Sequence, residues 1–244
     1  MKPSQHLWNK GQLTIFMVMA VVVLLLFVFV FVLNSRDNAL KLDFTSESIQ
    51  GYLDNCLRQT AEDALELLGK QGGRIQLQDY VPAPHHGITV WLKNGTLGAP
   101  TADDMESQLS WFIGNNIERC TNDFKDFNDK GWQVEAGEFS SSASINQQDV
   151  SFAANYPLTI RQQESSIVLA QLSASLPVRL QHIHSTAAQA AQLMQKNGKI
   201  DMTALDSSTL NATIFPYKDA LIYQFVDEQS ELKNKAYVFN IAVS

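Results

Sequence analysis

The sequence predicts an α+β protein in which an N-terminal transmembrane helix precedes an extracytoplasmic domain of helices packed on a mainly antiparallel sheet. An uninterrupted apolar run near the N-terminus predicts the transmembrane helix. Two later stretches carry apolar residues at three- and four-residue steps, which is typical of a helix with one buried face. After Gly131 the apolar residues occupy alternate positions, which is typical of half-buried strands.

The apolar run covers residues 13–33 and contains no charged side chain. A helix of this length rises about 31 Å, close to the roughly 30 Å hydrocarbon thickness of a bilayer. A cleaved secretory signal has a shorter apolar stretch that ends at a small-residue site, and residues 34–37 lack such a site. We therefore expect residues 12–33 to remain as a transmembrane helix, with 1–11 as a short cytoplasmic leader and 34–44 as a connector.

The distribution of charge gives the orientation. Lys2 and Lys10 precede the helix without any acid among them, whereas Arg36 and Lys41 follow it, so the positive charges alone favour a cytoplasmic N-terminus only slightly. All 25 acidic residues follow the apolar run, and an acidic domain suits neither nucleic acid nor an anionic cytoplasmic leaflet. We expect a single-pass protein of the cell membrane, with residues 45–244 outside the cytoplasm, the lipid bilayer as a partner and no nucleic acid.

The junction before the helix is Lys10-Gly11-Gln12-Leu13-Thr14. It resembles the class III signal peptide of archaeal type IV pilin-like proteins, in which a short basic leader ends in glycine. The resemblance implies peptidase cleavage between Gly11 and Gln12, which leaves the apolar helix on the mature chain. Phe16 stands at the fifth mature position, where many pilins carry glutamate. The residues alone also fit a basic flank with a flexible helix start.

Four features of the later chain are similar to those of a group of single-pass archaeal membrane proteins. They are a cysteine-containing helix, a glycine-rich turn, a second cysteine helix and a Tyr-Pro-Leu strand, here at 54–57, 68–73, 119–120 and 156–158. The resemblance covers most of residues 45–243. It implies an architecture and no activity.

Three helices are predicted in the domain, over 46–68, 102–120 and 178–196. Thr45 or Ser46 can cap the first helix, and Gly69 or Gly72 can end it. Pro100 to Asp104 provides a capping start for the second helix, and Asn197-Gly198 provides a stop for the third. The glycines at 69–73 follow a helix, whereas a phosphate-binding loop follows a strand, so they favour a helix cap and a turn.

Strands are predicted where apolar residues alternate with polar ones and turn residues lie on either side. Pro157 is expected at a strand edge or bend, because proline cannot donate a ladder hydrogen bond. The predicted strands are 88–92, 132–138, 142–145, 150–155, 158–161, 167–176, 209–215, 220–226 and 236–243.

Cys56 and Cys120 are the only cysteines, and both lie on the apolar faces of predicted helices. Outside the cytoplasm a pair of thiols tends to be oxidised, so the sequence favours a disulfide between them. Two separate buried thiols, packed as small apolar groups, are the alternative.

Several histidines and carboxylates are candidates for a metal-binding or catalytic site. His85-His86 with a distant carboxylate could bind a metal, but a solvated loop pair fits better because no ligand spacing accompanies them. The aspartates at 123, 126 and 129 interleave with Phe124 and Phe127, which favours a solvated face over a core. We expect no catalytic, cofactor-binding or metal-binding residues. Asn94 and Asn211 head glycosylation sequons that would be accessible outside the cell.

These observations predict a non-enzymatic cell-surface protein, pilin-like or an envelope component, that assembles with itself or binds other envelope proteins. A ligand-binding ectodomain of a receptor or transport accessory is the first alternative. A membrane-tethered hydrolase with a site scattered along the chain is the second, although no His-Glu-x-x-His or Gly-x-Ser-x-Gly motif is present. No cofactor is expected.

Overall fold

The computed structural model describes residues 18–26, 46–198 and 210–244. The chain divides into two compact units, Met1–Thr45 and Ser46–Ser244. In the first unit residues 18–26 are helical and form α1. The leader, the Gly11–Gln12 junction, both ends of the predicted transmembrane helix and the connector lie outside the described residues. Within the described ranges, no helix combines the length and the apolar character that a membrane crossing requires.

The second unit is α+β, as the sequence predicts. Its helices are α2 (Ser46–Lys70), α3 (Ala102–Thr121), α4 (Lys125–Asn128) and α5 (Leu180–Asn197), with a 3-10 turn at Asn122–Phe124. Its strands are β1 (Tyr80–Pro82), β2 (Gly87–Lys93), β3 (Thr96–Leu97), β4 (Gln133–Ala136), β5 (Ser140–Ile145), β6 (Val150–Gln162), β7 (Ser165–Leu176), β8 (Asn211–Tyr217), β9 (Ala220–Leu232) and β10 (Lys235–Val243).

Helix α2 is the central helix of the second unit. Its apolar face is almost completely buried, and its N-terminal half packs on β7 while its C-terminal half packs on β10. A Cβ atom on Gly69 would lie 2.4 Å from the Val238 carbonyl oxygen, and one on Gly72 would lie 2.4 Å from the Asn240 carbonyl oxygen. Gly72 also has a φ of +74°, which side chains disfavour. The glycines therefore end the helix and also let it approach the sheet.

Helix α3 begins with the predicted cap. The Thr101 hydroxyl accepts a hydrogen bond from the Asp104 backbone N–H, and the Asp104 carboxylate accepts one from the Thr101 N–H. After α3 the chain turns sharply, and Phe124 and Phe127 enter the core at 6% and 2% exposure. The three aspartates that interleave with these rings are exposed, which confirms the predicted solvated face.

The larger sheet has six strands in the order β1-β2-β10-β9-β8, with β3 paired to β2. The pair β2–β10 is parallel and the other pairs are antiparallel. The C-terminal strand β10 therefore lies inside the sheet. Helix α5 packs on this sheet, where the Trp91 and Phe239 rings meet edge to face with centroids 5.8 Å apart.

The smaller sheet is antiparallel and is built around β6, with β7 along one side and β4 and β5 end to end along the other. The two predicted strands, 150–155 and 158–161, form the single strand β6, whereas the expected bend at Pro157 is present. Tyr156 and Pro157 together oppose one residue of β7, which makes a bulge. The Pro157 carbonyl still accepts a hydrogen bond from the Gly137 N–H at 2.7 Å.

The structure also differs from the sequence prediction at three other strands, β1, β3 and β9. Strands β1 and β3 were not predicted, because segments of three and two residues are too short to show a period. Strand β9 continues to Leu232 and does not end at Val226. The polar residues beyond Val226 break the alternation, but Asp227 and Ser230 are fully buried by partners elsewhere in the fold.

Candidate functional site

Cys56 and Cys120 form a disulfide that joins α2 to α3, with their Cα atoms 5.6 Å apart. Cys56 is 1% exposed, and its neighbour in the same helix, Tyr52, donates a hydrogen bond to the Cys120 carbonyl at 3.0 Å. The prediction of a bond between these cysteines is confirmed. The disulfide closes a separation of 64 residues and fixes the N-terminal half of α2.

The other end of α2 borders a lysine-lined cavity of about 260 Å³, which lies beside the β9–β10 turn. Lys70, Lys233 and Lys235 line it together with Glu66 and the backbone of β10. The Lys233 ammonium lies 2.7 Å from Glu66 and 2.5 Å from Asp63, and Lys70 also pairs with Glu66. Two of the three lysines are therefore already neutralised by acids.

These contacts move two pKa values. Hydrogen bonds from Lys233 and then Lys70 lower the pKa of the Glu66 carboxyl to about 2. Burial acts to lower the pKa of Lys233, but its hydrogen bonds to Asp63 and Glu66 outweigh burial and raise it. Glu66 and Lys233 are therefore both charged at neutral pH. The cavity can attract a small anion chiefly through Lys235, which has no ion-pair partner among the described residues.

A buried ion pair fixes the start of α5. Asp227 is fully buried and receives hydrogen bonds from Arg179 Nε at 3.0 Å and a terminal guanidinium nitrogen at 2.6 Å. The Ser230 hydroxyl donates to the same carboxylate at 2.5 Å, and the Gln229 N–H donates at 3.1 Å. Burial acts to raise the pKa of Asp227, but these hydrogen bonds and the Arg179 charge outweigh it and lower the pKa. Each oxygen of the Asp227 carboxylate thus accepts two hydrogen bonds.

His184 lies on α5, whereas His86 lies in the turn between β1 and β2. His184 faces the Pro100 carbonyl at 2.7 Å and stacks at a tilt on Trp91, and burial lowers its pKa. Burial, followed by the charges of Lys70 and His85, lowers the pKa of His86. Among the described residues, no three His, Cys, Asp or Glu side chains are grouped as metal ligands.

The two sequon asparagines are exposed and lie in different settings. Asn94 occupies the β2–β3 turn with a φ of +49°, followed by Gly95. Asn211 opens β8, and its side-chain amide donates to Glu228 at 2.8 Å. Gly11 and Gln12, the predicted cleavage junction, lie outside the described residues.

Comparison of this chain with protein-family models, with curated proteins and with solved structures found no match in any of the three.

Two features of the site were missed by sequence reasoning. The lysine-lined cavity joins residues that are distant in sequence, and surface lysines have no characteristic pattern. The Asp227 ion pair could have been suspected, because Asp227 follows Tyr223 and Phe225 at the alternate, inward-facing positions of β9. A carboxylate at an inward position requires a buried partner.

Proposed function

We propose that this chain is a non-enzymatic, membrane-anchored surface protein, a pilin-like or envelope component whose domain assembles with its own kind or binds a partner. The observation that carries the proposal is the disulfide between Cys56 and Cys120, because such bonds persist outside the cytoplasm and are rare within it. An exported domain needs a means of retention, and the apolar run 13–33 supplies one.

The described part of the apolar run supports the anchor. Residues 18–26 are helical, and the large apolar side chains among them are between 47% and 65% exposed. Each leucine, isoleucine, valine or phenylalanine favours the membrane centre by a few tenths of a kcal/mol, so a run of them accumulates a sizeable preference for lipid. Such a helix is stable in a bilayer without further protein contacts.

The proposal includes processing of the leader. By its resemblance to class III signal peptides, the chain is cut between Gly11 and Gln12 and keeps the apolar helix. Mass spectrometry of the protein purified from a host with the pilin-type peptidase tests this point. A mature chain that begins at Gln12 is expected, and Gly11→Val should leave the leader attached. A full-length product from both versions would contradict the processing while leaving the anchor untouched.

Fractionation of cells that produce the full chain tests the main proposal. The protein is expected in the membrane fraction, with both cysteines protected from a thiol-alkylating reagent until a reductant is added. The variant Val22→Lys/Leu25→Lys is the matched control, since each charge costs about 3 kcal/mol near the helix centre. It should lose membrane retention. Recovery of the unmodified chain as a detergent-free cytosolic protein with free thiols would overturn the proposal.

The lysine-lined cavity favours a second candidate function, which is the binding of a small anionic ligand by the ectodomain. Its volume of about 260 Å³ suits a compact metabolite, and Lys235 offers an ammonium group without an ion-pair partner among the described residues. A thermal-shift screen of phosphate, sulfate and small carboxylates tests it. A shift that Lys235→Ala abolishes is expected from binding in the cavity. Equal responses of the native and variant proteins would exclude it.

A further inference from the structure

We propose that the outer edge of β8 pairs antiparallel with β8 of a second copy of this chain. This pairing is the contact through which the protein would assemble with its own kind. It rests on the proposed function only in placing that assembly at the cell surface. Strand β8 is the last strand in the order of the larger sheet, and within the described residues no strand pairs with its outer side.

Hairpin geometry identifies the backbone groups at this edge. Tyr217 and Ala220 are paired across a two-residue turn, so they exchange hydrogen bonds with each other. The register of β8 on β9 has no shift, so the inward and outward directions alternate regularly from Tyr217 back along the strand. The N–H and C=O groups of Ala212 and Ile214 therefore point away from β9. Pro216 also faces outward and has no N–H to donate.

The side chains of β8 leave the edge accessible. Ile214 is 40% exposed and Phe215 is 45% exposed, on opposite faces of the strand. No charged residue occurs from Leu210 to Tyr217, although charged side chains are a common means of preventing edge pairing. A neutral, apolar edge strand of seven residues is a template for another strand.

Strand β7, at the edge of the smaller sheet, is protected from pairing with another strand by side chains of α2. The Gln171 carbonyl of β7 accepts a hydrogen bond from the Gln50 side chain at 2.9 Å. The Ser173 N–H of β7 donates to the Asp54 carboxylate at 3.0 Å. Side chains of α2 thus occupy the backbone groups that a foreign strand would need. No corresponding side-chain contact to the Ala212 or Ile214 backbone is present among the described residues.

A second copy fits this edge because the strand is complementary to itself. If two β8 strands lie antiparallel about Thr213, Ala212 of each copy lies opposite Ile214 of the other. Each such pair exchanges two hydrogen bonds, and Pro216 lies outside the paired segment. The chain is acidic overall, yet the paired segment is neutral, so the two strands meet without like charges in contact. A contact of this kind is isologous and makes a closed two-fold dimer.

Cysteine cross-linking of the full chain in membranes tests the pairing. Two Thr213 residues would lie in a non-hydrogen-bonded pair with Cα atoms about 4.5 Å apart, within the range that a disulfide spans. Thr213→Cys should therefore give about tenfold more disulfide-linked dimer than Val168→Cys, whose position is also exposed but lies on β7. The host should lack N-glycosylation, because the substitution alters the sequon at Asn211.

The charged variant Ile214→Lys, made in the Thr213→Cys background, checks the result. It should reduce the cross-linked dimer to the level of the Val168→Cys control while leaving the melting temperature of the domain nearly unchanged, since Ile214 is already 40% exposed and a lysine there can extend its ammonium into solvent. Equal cross-linking of Thr213→Cys and Val168→Cys in protein that is retained in the membrane would overturn the β8 contact and leave the proposed function standing. Loss of membrane retention itself would instead count against the proposed function.

Discussion

The two halves of α2 are attached to the domain by different means. The N-terminal half is held by a covalent bond to α3 and by side-chain hydrogen bonds to the edge of β7. The C-terminal half has no covalent attachment and relies on the close approach of Gly69 and Gly72 to β10, with the Tyr237 hydroxyl donating to the Leu65 carbonyl at 2.9 Å. One helix therefore depends on the redox state of its surroundings at one end and on the fit of its backbone at the other.

The difference indicates where each kind of contact is useful. A disulfide limits the unfolded chain and needs little complementary surface, which suits a junction of two helices. Glycines permit backbone contact, but any added side chain disturbs it, which suits a helix end that closes against a strand. Variants that weaken one half should leave the other half intact, and hydrogen exchange resolved along α2 can tell the halves apart.

The largest effect is expected from Cys56→Ala/Cys120→Ala. With a sequence separation of 64 between the cysteines, the chain-entropy model assigns the disulfide about 4 kcal/mol of the free energy of unfolding. Denaturant unfolding of the full chain in detergent measures it, and reduction of the native protein should give the same loss. Amide exchange should quicken in the first half of α2 more than near Lys70. A loss of less than about 1 kcal/mol would contradict the role of the disulfide in holding α2 to α3.

A third kind of attachment, an ion pair, holds the start of α5 and gives the next largest effect. Asp227→Ala should lower the free energy of unfolding by about 3 kcal/mol, because it leaves the Arg179 guanidinium partly buried without its partner. The exposed neighbour Glu228→Gln is the control and should change the free energy of unfolding by less than about 0.5 kcal/mol.

The same ion pair predicts a pH dependence. The pKa of Asp227 is lowered in the folded state, so its contribution is complete above the unfolded pKa of about 4. The contribution is lost as the pH falls from there through the lower folded pKa. The denaturation midpoint of the native protein should therefore fall more steeply below about pH 4 than that of Asp227→Asn. Parallel curves for the two proteins would refute the assignment.

Gly72→Ala tests the backbone fit at the C-terminal half of α2. We expect a loss of about 2 kcal/mol, because a Cβ atom would clash with the Asn240 carbonyl and because φ is +74°. Gly51→Ala, inside α2 itself, is the control, because a Cβ atom there would contact nothing within 4 Å. That change should stabilise the helix by up to about 1 kcal/mol. Equal effects at the two positions would contradict the close-approach argument.

The smallest effect is expected at the surface ion pairs beside the cavity. Lys233→Ala should cost under about 1 kcal/mol, since its side chain and that of Glu66 are more than a third exposed and are screened by salt. The clearer measurement is an NMR titration of Glu66. Its pKa should rise from about 2 towards the ordinary glutamate value when Lys233 is removed. An unchanged pKa would show that Lys233 does not act on Glu66.

The three long helices of the second unit could be predicted to within about two residues, because their burial is periodic and local, whereas the four-residue α4 is too short to show a period and was not predicted. The disulfide could be predicted because two cysteines on buried helical faces have few alternatives. The short strands β1 and β3 could not, since segments of three and two residues are too short to show a period, although both pair with the neighbouring strand β2. A bend at Pro157 was predicted, but the continuation of β6 through it was not, because the register shift that accommodates the proline depends on the partner strand β7.

The candidate sites were predictable to a smaller extent. Glycines at 69–73 were recognised as a helix end, but their close approach to β10 involves residues about 170 positions away, which local pattern cannot show. The exposed sequon at Asn94 follows from its turn sequence, Asn-Gly. The edge position of β8 depends on the strand order, and strand order is a property of the whole sheet.

The interior position of β10 has a consequence for how the domain is made. This strand pairs with β2 and β9 and supports the end of α2, yet it follows all of them in sequence. During synthesis the earlier segments emerge without the strand that completes their sheet. The link between Cys56 and Cys120 can form well before that strand arrives, so oxidation can hold two helices together while the larger sheet is still open. Final closure of the sheet is then a late, non-local step, at which a chaperone would be most useful.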